Sequence, residues 1–130
     1  MSNYSLILSE NVSQATKIKV WELCIDGVSV LEPFIEQVID EGTYSNDLAG
    51  AIRNLELAAD LKRLPKTKFR EIKNKNINGK LYEAKHGSVR IYHFHEKHTG
   101  RIIVLGGVKN DQKQDIKAAV KKIKAFQNEK

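Results

Sequence analysis

Glu83 and Lys85 stand two apart in residues 80–86 (KLYEAKH), and Arg90 and Tyr92 stand two apart in residues 88–96 (SVRIYHFHE). Side chains two apart on an extended strand share a face. In the second run Val89, Ile91, His93 and His95 form one set, and Arg90, Tyr92 and Phe94 the other. Val89 and Ile91 mark their side as the one facing helices, which leaves Arg90 and Tyr92 on an open face. In the first run Leu81, Glu83 and Lys85 oppose Tyr82, Ala84 and His86. Strand register decides whether Glu83 and Lys85 join Arg90. Lys109 follows the strand-like residues 101–108, just past Gly106-Gly107, a pair that permits a bend or bulge.

Such a set suits RNA. Lys and Arg position phosphates, and an aromatic ring can stack a single-stranded base. The same residues suit phosphodiester cleavage in which a ribose 2′-OH attacks the adjacent phosphate. Arg90 and Lys109 would then stabilise the charge that develops. Glu83, Lys85 and His86 are the candidates for general base and acid. Ordinary solvated strand residues would give the same pattern. His93, His95 and His98 spell H-x-H-x-x-H, but the one acidic neighbour is Glu96 and no metal site is assigned. Gly106 to Lys109 lack the spacing of a P-loop. No cofactor is implied.

Charge is unevenly placed along the 130 residues. Residues 1–60 hold three basic and ten acidic residues, a balance of −7, whereas residues 61–130 balance at +13. That asymmetry reads either as a basic face for a polyanion or as a Lys-rich solvated surface. The length suits one domain able to bury its own core. No apolar run reaches the roughly 20 residues of a membrane helix. A single cysteine, Cys24, rules out an intrachain disulfide and fits a reducing cytoplasm.

The elements that must carry these residues follow from periodicity. Residues 1–17 read as an N-terminal arm and residues 18–25 as a strand ending at the Asp26-Gly27 turn. Ser29 and Glu32 spell a capping box before a helix with Leu31, Phe34, Ile35, Val38 and Ile39 on one face and Gly42 at its end. A second helix starts near Ser45, carries Leu48, Ile52, Leu55 and Ala59, and stops before Pro65. Residues 66–79 read as a basic, Asn-rich connector. Three runs, 80–86, 88–96 and 101–108, form an antiparallel meander. Residues 111–126 form a last helix with an apolar seam of Ile116, Val120 and Ile123. Lys113, Lys117 and Lys121 lie on its basic stripe and are candidate RNA contacts. The expected fold is α+β, in the order βααβββα, with helices mainly on one face of a mainly antiparallel sheet.

Residues 81–126 resemble the RelE/ParE toxin superfamily, nearest its HigB-like, phage-derived branch. The resemblance rests on Leu81-Tyr82-Glu83-x-Lys85, Val89 to Phe94, the strand at 102–105, Lys109, and a helix with Ile116, Ala119 and Lys122. By topology it extends over 18–126, one toxin domain followed by a tail at 127–130. It implies a RelE-like fold and a toxin of a type II toxin–antitoxin pair. RelE- and HigB-like members cut mRNA on the ribosome, while ParE-like members inhibit gyrase without cutting RNA. Carried over, Lys85 and Arg90 match the basic strand positions, Lys109 the basic position after the last strand, and Tyr92 a common aromatic. The implied partners are ribosome-bound mRNA and an antitoxin, often of helix-turn-helix type. A third reading is an RNA-binding or interaction module of the same fold that has no toxicity.

Overall fold

A computed structural model describes residues 3–129. The chain is α+β, with three α-helices and a mixed, mostly antiparallel sheet. In chain order the strands are β1 (Tyr4–Leu8), β2 (Val20–Ile25), β3 (Val28–Ser29), β4 (Phe69–Ile72), β5 (Lys80–His86), β6 (Val89–Glu96) and β7 (Gly100–Val108). The helices are α1 (Leu31–Glu41) and α2 (Ser45–Ala59), between β3 and β4, and α3 (Gln112–Asn128) at the end. A 3-10 turn, Lys109–Asp111, leads into α3.

The sheet runs β1-β2-β7-β6-β5-β4, with β3 paired to β2. β2 and β7 are parallel, and the other pairs are antiparallel. The three strand runs of the meander fall close to their expected bounds. Residues 66–79 do not form a plain connector, because Phe69–Ile72 pair with β5 as an edge strand. The expected arm contains a strand as well, β1, and buried Val12 ties the following loop to the core. The expected tail begins inside α3. Its last residue, like residues 1 and 2 of the expected arm, lies outside the described residues.

Helices cover both faces, two on one and one on the other, so the face expected to be open is covered. On one side α1 and α2 bury Leu31, Val38, Leu48, Ala51 and Leu55 against Ala84, Val89, Ile91 and Ile103. On the other, α3 buries Ala119, Ile123 and Phe126 against Leu81, Tyr92, Phe94, Ile102 and Val104. The alternation in β6 therefore reads as a strand buried on both sides: all residues from Val89 to Phe94 are buried. Between Tyr92 and His93 the register with β7 slips by one residue, a bulge at Val104.

Local sequence explains the helix ends. No side chain caps α1 in the expected way. The Ser29 hydroxyl instead accepts the Leu31 N–H at 3.2 Å and donates to the buried Glu22 carboxylate at 2.5 Å. Ser9 and Asn11 also donate to Glu22, at 2.6 and 2.8 Å, so one carboxylate binds the loop after β1 to the sheet. Gly42 ends α1 with φ of 76°, a conformation that costs glycine little.

His93 lies wholly inside, with Nδ1 3.3 Å from the Ile91 carbonyl. Burial, reinforced by the Arg101 charge, lowers its pKa to about 3. The unfolded chain binds this proton near pH 6.5 while the folded chain refuses it. The stabilising contribution is thus complete above about pH 6.5 and is lost as pH falls toward about 3, at up to about 1.4 kcal/mol per pH unit. Denaturant unfolding across that window should show the slope, and His93→Phe should flatten it. An equally steep slope in the variant would assign the acid sensitivity to other groups.

Candidate functional site

Antiparallel register gathers the candidate residues of β5 and β6. Lys85 pairs with Arg90, and Glu83 with Tyr92. All four stand on the face that α3 crosses, so Arg90 and Tyr92 do separate from Val89 and Ile91, and the register joins Glu83 and Lys85 to them. That face is not open, however. Glu83 and Tyr92 are fully buried and Arg90 is 9% exposed.

Glu83 is the centre of the arrangement. Its Oε1 accepts a hydrogen bond from Arg70 Nε at 3.1 Å, with Lys85 Nζ at 3.7 Å and Arg90 Nε at 3.9 Å. Gln112 Nε2, in the first turn of α3, donates to Oε2 at 2.8 Å. Three cations thus share one buried carboxylate and retain an excess of positive charge. Arg90 is further fixed through Nη1, which donates to the carbonyls of Gly87 and Val89 at 2.8 and 3.1 Å. Full burial withdraws Glu83 from substrate and makes it a positioning group for the cations around it.

Tyr92 carries a buried hydroxyl without a hydrogen-bond partner among the described residues. Burial, then the charges of Glu83 and Asp115, push its pKa far above the usual phenol range. Asp115 closes the far side, and its Oδ2 is also buried and unpartnered. Burial, with Asp111 adding to it, raises the Asp115 carboxyl. The carboxylate lies over Gly107, where an added Cβ would collide with it, so only glycine lets β7 approach this closely.

Lys109 is exposed at the mouth, and its N–H donates to the Ser88 carbonyl at 2.7 Å, which ties the 3-10 turn to the start of β6. A cavity of about 370 Å³ lies here, lined by Lys109, Gln112 and Lys113 among others. Lys117 and Lys121 continue the exposed side of α3. His86 does not join this group. It stands on the opposite face, packed so closely on Gly50 of α2 that a Cβ there would strike its ring.

Sequence reasoning missed Arg70, Gln112 and Asp115. Arg70 had a usable signal: Phe69 and Ile72 flank two charged residues in a short strand-like run. Gln112 and Asp115 extend the buried side of α3 toward its start, ahead of Ile116 and Ala119. Among the described residues, no group of three or more His, Cys, Asp or Glu side chains is arranged to hold a metal ion, and no helix is long and apolar enough to cross a membrane. Comparison of the chain with protein-family models, with curated proteins and with solved structures finds no match.

Removing the shared carboxylate leaves Arg70, Lys85 and Arg90 to repel one another in a partly buried space. Glu83→Ala should lower stability by about 3 kcal/mol, on the scale of breaking a buried ion pair. Glu83→Gln, which keeps an acceptor for Arg70, should lose less. Denaturant titrations of both variants check this, and equal stability of Glu83→Ala and the parent would remove Glu83 from the centre of the site.

Proposed function

We propose that this protein is a RelE-like toxin that cuts mRNA on the ribosome. The observation that carries the reading is the cationic group of Arg70, Lys85 and Arg90 around Glu83, joined through Gln112 to the cavity that Lys109 and Lys113 line. Three cations with one carboxylate favour a doubly charged phosphorane over a singly charged phosphodiester. The step is an in-line transfer. A ribose 2′-OH gives up its proton, its oxygen bonds to the adjacent phosphorus, and the bond from phosphorus to the 5′-oxygen breaks. The leaving oxygen takes a proton, and the products carry a 2′,3′-cyclic phosphate and a 5′-OH.

Each side chain has a part in that scheme. Arg90 and Lys85 hold the non-bridging oxygens, and Lys109 meets the backbone at the mouth. Asp115, with its carboxyl raised by burial, is the proton carrier that best fits general acid–base work. Tyr92 stays protonated and, fully buried like Glu83, supports the cations from inside without reaching substrate. Lys113, Lys117 and Lys121 extend the electrostatic track for RNA along α3. The protein partner in this reading is an antitoxin, of helix-turn-helix type in the HigB-like branch, and the compartment is the cytoplasm. ParE-like inhibition of gyrase is the second reading, because it needs the same fold without a cleavage site.

Induced expression should arrest growth and leave cuts within translated transcripts, mapped by primer extension. The double variant Arg90→Ala, Lys109→Ala should reduce cutting by at least about 100-fold, the scale of losing transition-state charge contacts. Undiminished cutting would dismiss these residues. Inhibition of gyrase supercoiling with intact transcripts would replace the reading with the ParE-like one.

A further inference from the structure

The other side of the sheet holds a second group of unsatisfied polar atoms. His93 Nε2, His95 Nδ1, Arg101 Nε and Arg101 Nη1 are all buried and lack a hydrogen-bond partner among the described residues. These residues share one face near the β6–β7 turn, where His95 pairs with Arg101 and Lys80 pairs with His95. The Arg101 guanidinium lies over the Tyr82 ring, 4.3 Å from its centroid, with Phe69 beyond at 5.7 Å. Buried polar atoms are normally paired, so four orphans in one place indicate a missing partner.

Cations flank these atoms, since His95 lies opposite both Lys80 and Arg101 in the ladders. Burial and then the charges of Arg101 and Lys80 depress the His95 pKa, and no carboxylate contributes to it. Glu71, opposite Tyr82 on β4, lies 3.4 Å from Lys73. Glu96, the neighbour of His95, accepts the Thr99 hydroxyl at 2.7 Å. His95 also lines a cavity of about 350 Å³ together with Asn78, Lys97 and His98. Glu96 and Gln127 also line it, whereas Lys80 and Arg101 do not, so it meets the cluster at His95 alone.

We propose that Lys80, His95 and Arg101 form a second phosphate-binding site, which takes a backbone phosphate of single-stranded RNA. A phosphate oxygen supplies acceptors for both guanidinium and imidazole donors. On binding, the guanidinium turns off the Tyr82 ring toward His95 and exchanges a cation–π contact for a charge-assisted hydrogen bond. Lys97 and His98 flank the entry from the turn. The choice of RNA as ligand rests on the reading of the first site, whereas the cationic cluster does not.

The test follows the His95 ring by NMR across pH, with short single-stranded RNA, inorganic phosphate or an acidic peptide added in turn. RNA should raise the His95 pKa by about one unit, the shift expected of a nearby opposite charge. The response should weaken as salt rises. Arg101→Met and Lys80→Met should each remove more than half of it. Arg101→Met should lower the melting temperature only modestly, because the thioether keeps packing on Tyr82 and Phe69 while the cation–π contact is lost. The Arg90→Ala, Lys109→Ala protein should keep the His95 response, which separates failure of the first site from failure of this one. Inorganic phosphate should move it the same way at higher concentration, and the proposal is overturned if RNA leaves His95 unmoved, if the acidic peptide moves it as far as RNA does, or if both Met variants respond like the parent.

Discussion

One buried carboxylate sets the terms for the α3 side of the sheet. Glu83 has no exposed surface, yet Arg70, Lys85 and Arg90 reach it from three strands and Gln112 reaches it from α3. A lone carboxylate in that position would be costly, and so would three cations without it. The ion pairs therefore fix β4, β5, β6 and the start of α3 relative to one another. They also leave an excess of positive charge around one carboxylate. Structure and candidate chemistry depend on the same contacts.

Sequence period carried much of this arrangement. The two-residue alternation in residues 80–96 grouped Glu83 with Lys85, with His86 opposite, and Arg90 with Tyr92, and the register of β5 with β6 then joins the two pairs. Alternation did not tell which sides were covered. Val89 and Ile91 are apolar, but so is Phe94, and both sets are buried. Helix α3 lies on the supposed open face because its buried line runs through Ala119, Ile123 and Phe126, not through the larger Ile116 and Val120 alone. Edge strands were the other loss. β4 has only four residues, two of them charged, and sits in an Asn-rich segment that resembles a loop. β1 alternates half-buried and exposed residues and has no strong apolar period.

The seven buried polar atoms without partners among the described residues fall into two groups on opposite faces. Arg90, Tyr92 and Asp115 surround Glu83 on the α3 side. His93, His95 and Arg101 surround Tyr82 on the other. A folded chain tolerates such atoms where water or a ligand completes them. Their segregation gives the charge asymmetry of the sequence a physical location. The basic half of the chain builds both faces of β5, β6 and β7, while the acidic half supplies α1, α2 and the carboxylates around Glu22.

The central claim is that the cations around Glu83 assist attack by a ribose 2′-OH. The most direct measurement uses ribosomes programmed with an mRNA that carries a single 2′-deoxynucleotide on the 5′ side of the cut. The account predicts that this one substitution abolishes cutting there, and that the all-ribose mRNA yields a 2′,3′-cyclic phosphate. Cutting that persists at the deoxynucleotide would contradict it.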